Sequence, residues 1–399
     1  MSILSSKLAE IKPSITLLLN QKAMQLRKQG LKIIPFGVGE PDFDTPDNIK
    51  FAAIQGIIEG KTKYTNVEGT NELKEAIRNK FKRENDLDYN LDEIIVSCGG
   101  KQVIYNLLMA TLNAGDEVII PIPYWVSYPE IVTLSGGRPI LANCDKDFKL
   151  TPEELESKIT NRTKWLMINC PSNPSGVCYT KDQLSQLAQV LRKHPHVHIM
   201  SDDIYEHIMF DDFQFYSLAQ VAPDLKDRIF IVNGVSKGYA MTGWRIGYGA
   251  GNKEIIKGMS MIQSQSTSNP CSISQVAALE ALNGPQGFIQ TNANQFQEKR
   301  DLSLSILANT KYLECHKPNG AFYLFVDCRK AIGMKAPDGK DINNCDDFCS
   351  FLLEHAKVAV VPGMAFGLAG FFRMSVATSF ENIKQGCSQI VEACNKLSS

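Results

Sequence analysis

No apolar run in this 399-residue chain approaches the roughly 18 to 20 residues needed to cross a bilayer. Net charge is nearly absent: 42 basic against 43 acidic side chains leave −1, which draws in neither nucleic acid nor an anionic membrane. Residues 1–10 mix Lys and Glu with short apolar pieces and lack the continuous apolar segment of a secretory signal. C-x-x-C is also missing among the eleven cysteines, and Cys345 and Cys349 have no matching second pair. Reduced thiols in a cytoplasmic protein, and no metal site, are the expectation. His194, His196 and His198 alternate and share a face, but no acidic or cysteine partner stands nearby in sequence. Repeats, low-complexity tracts and long Gly/Ser linkers are absent as well.

The length exceeds one ordinary core, so two domains are expected. Strand-like runs at 93–97, 117–120, 165–169, 197–201 and 229–232 alternate with helical patterns, the helix at 181–193 among them. That alternation predicts an α/β fold with a mostly parallel sheet between helices. Beyond residue 285 the texture changes to a long polar helix over 286–309, strands near 321–326, 358–361 and 372–376, and a last helix over 381–396. The expected division is a large domain over 45–285 and a smaller α+β domain over 286–399 joined by an N-terminal arm, 1–44.

Ligands of such sheets gather beyond the carboxyl ends of the strands. There, after 229–232, stands Gly234-Val235-Ser236-Lys237, followed by Arg245-Ile246-Gly247. A lysine in a Gly-bounded turn can attack an aldehyde if its pKa is lowered, and an arginine can hold a phosphate with two parallel bonds. On spacing alone a solvated loop lysine is the favoured reading. Cys98-Gly99-Gly100-Lys101-Gln102 joins a strand to a helix and offers free backbone N–H groups to an anion. Without G-x-G-x-x-G it does not read as a dinucleotide site.

The whole stretch Asn233-Gly-Val-Ser-Lys237-Gly-Tyr-Ala-Met-Thr-Gly-Trp-Arg245-Ile-Gly247 resembles the cofactor-attachment site of class I aminotransferases dependent on pyridoxal 5′-phosphate (PLP). The bacterial aspartate aminotransferase branch, which includes dual aspartate/prephenate enzymes, is the most similar, and the resemblance runs over nearly the entire chain. It implies the fold type I of PLP-dependent transferases, with Lys237 holding the cofactor as a Schiff base and serving as general acid and base. It also implies that Asp202, in Ser201-Asp202-Asp203-Ile204-Tyr205, faces the pyridine nitrogen. A carboxylate about 3 Å from a pyridinium contributes a gross attraction of about 5 kcal/mol at an effective dielectric near 20. The bland alternative is that Asp202 caps a following helix, a task for which Asp203 is the better candidate.

By the same resemblance Tyr205 and Asn173 reach the ring's phenolic oxygen, and Trp125 stacks on the ring. Gly99, Gly100 and Lys101, with Ser236 and Arg245, cradle the phosphate, and Tyr64 reaches the phosphate of a neighbouring subunit. A homodimer with shared sites follows from the last. Ser175 replaces the usual threonine after Asn173-Pro174, and Asp203 replaces the usual glutamate.

Arg373, in Phe371-Phe372-Arg373-Met374-Ser375, matches the arginine that grips the substrate α-carboxylate, and Gly39 would offer backbone to the same group. Lys101 matches a lysine that binds a dicarboxylate side chain. Lys12 matches one that accompanies activity on prephenate. The expected reaction is ping-pong transamination between L-aspartate or L-glutamate and oxaloacetate, 2-oxoglutarate or prephenate. An aromatic or alanine aminotransferase shares every cofactor residue, a PLP lyase shares the scaffold, and a non-catalytic binding protein is the alternative of another class.

Overall fold

The computed structural model describes residues 3–11, 21 and 24–399. After a short strand β1 (Ile34–Pro35) come the strands of the central sheet. They are β2 (Ile94–Ser97), β3 (Glu117–Ile122), β4 (Arg138–Asn143), β5 (Thr163–Asn169), β6 (His198–Asp202), β7 (Ile229–Gly234) and β8 (Gly247–Ala250). Their spatial order is β2-β8-β7-β6-β5-β3-β4. Within it only β8 runs antiparallel, against β2 and β7, while the other pairings are parallel. β2, β7 and β8 are buried at every residue, which is why they read as unbroken apolar or small-residue runs and not as an alternation. The five strands expected here form, with ends displaced by no more than two residues.

The helix Lys181–Lys193 shows how local chemistry fixes one covering element. The Gln183 amide donates to the Thr180 hydroxyl at 3.3 Å while the Gln183 side chain accepts from the Thr180 amide at 2.9 Å, a reciprocal cap worth about 1 kcal/mol. Leu184, Leu187, Ala188 and Leu191 make its buried stripe, each leucine contributing roughly 1.5–3 kcal/mol by leaving water. At and beyond its carboxyl end, Arg228 donates to the carbonyls of Leu191, His194 and Val197, tying the helix end to the segment that enters β6.

The later chain adds β9 (Glu314–Cys315), β10 (Tyr323–Asp327), β11 (Val358–Ala359), β12 (Val361–Pro362) and β13 (Phe371–Ser375). The antiparallel order is β12-β13-β10-β9, and β11 pairs in parallel with β1. Helices Gly287–Leu307 and Phe380–Cys394 bring Phe296, Ile383, Cys387 and Ile390 to a core shared with Phe322, Leu324, Phe372 and Met374. Ile34 and Phe36 of the N-terminal segment join that core, and so do Tyr205, Ile208 and Phe210 from beyond β6.

Three expectations need correction. The strand expected at 358–361 is two strands, because the chain leaves β1 after Ala359 and pairs with β13 from Val361. The strand expected from 321 begins at Tyr323, because Ala321 sits at φ 57° in the left-handed region, which breaks a ladder. Asp203 caps no helix: residues 204–207 form a turn, and its buried carboxylate accepts from the Ser201 hydroxyl at 2.6 Å. The eleven cysteines are all unpaired, and among the described residues no helix is long and apolar enough to cross a membrane.

Candidate active site

Segments leaving the carboxyl ends of β2, β3, β5, β6 and β7 converge on one cavity of about 520 Å³. From them come Gly100 and Lys101, Trp125, Asn173, Asp202 and Tyr205, and Ser236 and Lys237. Arg245 enters just ahead of β8, and Gly39, Tyr323 and Arg373 close the far wall. The crossover topology thus brings the strand-end residues together, as the rule for open α/β sheets requires, while Gly39, Tyr323 and Arg373 come from outside that sheet.

Lys237 donates from Nζ to the Gly39 carbonyl at 2.6 Å. Desolvation pulls its pKa down to about 8, assisted by the cationic Arg373 and Arg245 and opposed by Glu40 and Asp202. A half-buried amine with its pKa lowered in this way is a nucleophile and a proton carrier, as an ordinary surface lysine is not.

Asp202 ends β6 with only 6% of its surface exposed. Burial pushes its pKa up to about 6 against two donors: the Tyr128 hydroxyl at 2.6 Å on one oxygen and the Ile204 amide at 3.3 Å on the other. No helix follows for it to cap. Asn173 is placed by Asn169, whose side-chain oxygen accepts the Asn173 amide at 2.7 Å while its amide donates to the Asp202 carbonyl at 2.9 Å. Trp125 stands edge-on to Tyr128 with centroids 5.4 Å apart, and Lys101 Nζ lies 4.9 Å from the Trp125 ring centre.

Gly99 holds φ 91°, and a Cβ there would stand 2.2 Å from Arg245 Nη2, so the turn into helix Gly100–Thr111 needs glycine at this position. Arg245 is itself left-handed at φ 56°, a strained setting for a non-glycine residue. It donates to the carbonyls of Thr242 at 2.8 Å and Cys98 at 3.3 Å, and no carboxylate pairs with it among the described residues.

Arg373 is 3% exposed and sits in the centre of β13, not at a sheet edge. It donates from Nη1 to Asn173 Oδ1 at 2.9 Å and from Nη2 to the Gly37 carbonyl at 2.8 Å. Its Nε has no partner, and no carboxylate pairs with it among the described residues. Two uncompensated guanidinium groups thus bracket a half-buried lysine and a buried acid. This arrangement can take a molecule with one anionic group at the Gly99 turn and a carboxylate at Arg373, and can move a proton between them.

Not every expected residue enters the cavity. Gly99 lies at its rim beside Arg245, Tyr64 is 91% exposed and does not line it, and Lys12 lies outside the described residues. The alternating histidines take different polar partners: His194 meets Glu156 at 2.7 Å and His196 the Thr160 carbonyl at 3.1 Å, their rings edge to face, while His198 lies on the Trp165 ring.

Sequence reasoning missed Tyr128, although it stands only three residues after Trp125. It missed Tyr323 and the Lys80–Glu206 ion pair behind the site altogether. No turn motif marks any of these.

A model of the family described as aminotransferase class I and II matches residues 32–390. The chain is 64% identical to a probable aspartate/prephenate aminotransferase of Rickettsia felis, over 100% of this chain and 98% of that one. It is 54% identical to the aspartate/prephenate aminotransferase of Cereibacter sphaeroides, with both chains covered in full. Among solved structures it superimposes on an aspartate aminotransferase from Rhizobium meliloti with a TM-score of 0.97, 50% identity and full coverage of both chains. The aspartate aminotransferase from Thermus thermophilus with maleate gives 0.91 at 41% identity, over 98% of this chain and 100% of that one.

Proposed function

The chain belongs to the class I and II aminotransferase family, and from that premise we propose that it moves amino groups between L-aspartate or L-glutamate and 2-oxo acids, prephenate among them, using PLP held by Lys237. The observation that carries this is Arg373, a buried guanidinium with a free Nε and no carboxylate partner among the described residues, facing the same cavity as Lys237. Unpaired buried charge is unfavourable and persists where a ligand supplies the partner. An α-carboxylate has the planar pair of oxygens that a guanidinium fork matches.

The residues present fit PLP. The Gly99–Gly100 turn, a helix N-terminus and unpaired Arg245 suit a phosphate. The buried Asp202 offers a carboxylate to a protonated ring nitrogen, and a cation there would draw its pKa back from about 6. Trp125 offers a ring face, and Ser236, Tyr205 and Asn173 offer hydroxyl and amide groups. When bound, PLP serves as an electron sink for the carbanion at the substrate Cα.

Arg373 and Asn173 orient the substrate by its carboxylate. Gly39 holds Lys237 Nζ through its carbonyl. The amine, weakened as a base to about 8, takes a proton at the substrate Cα and keeps it within reach. Two half-reactions share this site in turn, so the kinetics are ping-pong. Lys101, exposed beside Trp125, is assigned to the second carboxylate of a dicarboxylic substrate, and Lys12 to prephenate.

The same proposal takes 45–285 as the large, PLP-binding domain and 1–44 with 286–399 as arm and small domain. It places the enzyme in the cytoplasm as a homodimer. Support for the dimer comes from Tyr64 and from helix Asp47–Ile58, which exposes Phe51, Ile54, Ile57 and Ile58 at 51% or more, a patch of the kind a partner covers.

Lys237→Ala should abolish multiple-turnover transamination, and substantial residual turnover would remove Lys237 from its role. Exposing the PLP-loaded enzyme to L-aspartate and then prephenate, with visible absorbance recorded, tests the substrates. Return of the original band on prephenate supports the dual activity. Return on oxaloacetate or 2-oxoglutarate alone restricts the enzyme to aspartate aminotransfer, and no response to L-aspartate overturns the donor.

A further inference from the structure

Tyr323 has no part in the function proposed above, yet it touches three groups that do. It opens β10 with 1% of its surface exposed and still lines the cavity. Its hydroxyl lies 2.9 Å from that of Tyr205. The Arg373 guanidinium lies over its ring, 4.4 Å from the centre. A Cβ on Gly39 would come within 2.6 Å of the same hydroxyl, so Gly39, whose carbonyl holds Lys237, must be glycine for the phenol to fit.

The two hydroxyls share a single hydrogen bond, and either can donate it. The choice matters because a phenol has one proton. If Tyr205 donates to Tyr323, it has nothing left to give to an anionic oxygen in the cavity. If Tyr323 donates, Tyr205 is free to donate, and accepting a bond at its own oxygen makes it a stronger donor. Each ring has a cation over it, but the nearer one favours Tyr323 as donor: Arg373 lies 4.4 Å from the Tyr323 ring centre and Lys237 Nζ 5.8 Å from that of Tyr205, and the closer cation gives the greater acidity to its phenol. Burial raises the Tyr323 pKa while Arg373 draws it back. Tyr205, buried with the other phenol as its nearest partner, is pushed well above the ordinary value. The more acidic member of a pair is the donor.

We propose that Tyr323 is a positioning residue that donates its proton to Tyr205, so that Tyr205 in turn donates to the phenolic oxygen of the cofactor, with Arg373 fixing the direction of the relay. This rests on the PLP reading of the site. It adds a route by which the residue that grips the substrate carboxylate also tunes the hydroxyl beside the cofactor.

The test is a double-mutant cycle of Tyr323→Phe and Tyr205→Phe in the PLP-loaded enzyme. The readouts are the midpoint of the pH titration of visible absorbance, the melting temperature, and kcat against KM. Wild type must first take up PLP, and failure there overturns the functional reading and this proposal together. Tyr205→Phe should raise the midpoint, because a donor to the anionic form is lost. Tyr323→Phe should raise it by a smaller amount, about half a unit, and lower kcat about fivefold, as loss of one reinforcing hydrogen bond implies. The melting temperature should hold, since a phenylalanine fills the same space. On the Tyr205→Phe background Tyr323→Phe should move the midpoint no further. An equal shift on both backgrounds, or none on either, overturns the relay while leaving the PLP reading intact. A fall in melting temperature with an unmoved midpoint assigns Tyr323 to packing and likewise overturns it.

Discussion

Lys80 and Arg373 are both sealed from solvent, at 0% and 3% exposure, in opposite electrostatic surroundings. Lys80 belongs to a closed network behind the site. Its Nζ bonds Glu206 and, at 2.7 Å, Asn85 Oδ1, with Glu84 at 3.5 Å. Glu206 accepts further from Asn85 at 2.9 Å and Asn233 at 2.6 Å. Burial works against the Glu206 charge, yet Lys80 and its other neighbours hold the carboxyl below the usual range. Arg373 has carbonyl and amide oxygens and two aromatic faces, but no counter-ion among the described residues. One cation has been made part of the fold, and the other has been left open for a ligand. The fold bears the strain of the second because the first, with the cores around it, keeps the strand ends in place.

The sharpest way to break this comparison is to delete each cation's purpose. Arg373→Leu should lower kcat/KM for L-aspartate about a thousandfold, the scale of losing a buried bidentate charge pair. The unfolding free energy of the cofactor-free protein should stay level or rise, since an uncompensated buried charge has gone. Steady-state kinetics with thermal unfolding check both halves; a large fall in stability would mean that Arg373 is already compensated by the protein. Glu206→Gln should do the reverse. Stranding Lys80 should lower stability by about 3 kcal/mol or more, whereas the enzyme that remains folded should keep KM for L-aspartate within about threefold of wild type, because Glu206 touches no substrate. Denaturant unfolding and kinetics on the same preparation measure this, and a KM change as large as that of Arg373→Leu would erase the distinction.

The same contrast marks what could be read from sequence. Local chemistry was legible: apolar runs marked the parallel strands, the helical pattern over 181–193 marked the helix found there, and the Gly99–Gly100 pair marked the turn from β2 into a helix. The residues after strand ends did converge, because topology makes them converge. Partners distant in sequence were not legible. Tyr128 meets Asp202 across 74 positions, Tyr205 meets Tyr323 across 118 and Lys80 meets Glu206 across 126, and no local pattern encodes such pairings. Asp203 shows the limit from the other side, since its type suits a helix cap but the chain turns there and buries it against Ser201. The exposure of Tyr64 was likewise beyond a single-chain pattern.

Lys237 supplies the finest test, because its electrostatic penalty can be switched by pH. In the cofactor-free protein its pKa lies near 8, against 10.5 for an ordinary lysine. Between those values the unfolded chain binds the proton that the folded chain has released, so this group makes stability rise with pH across the window. Below pH 8 the penalty is complete. A shift of this size corresponds to about 3 kcal/mol before screening, and to about 1 to 2 kcal/mol for a side chain that opens onto a wet cavity. Lys237→Met, which cannot titrate, should therefore stabilise the cofactor-free protein at pH 7 by about 1 to 2 kcal/mol, with the advantage over wild type shrinking toward zero by about pH 10. Subtracting the two unfolding curves at each pH cancels every other lysine and tyrosine that titrates in that range. A difference that stays constant from pH 7 to 10 would mean that Lys237 folds without electrostatic penalty.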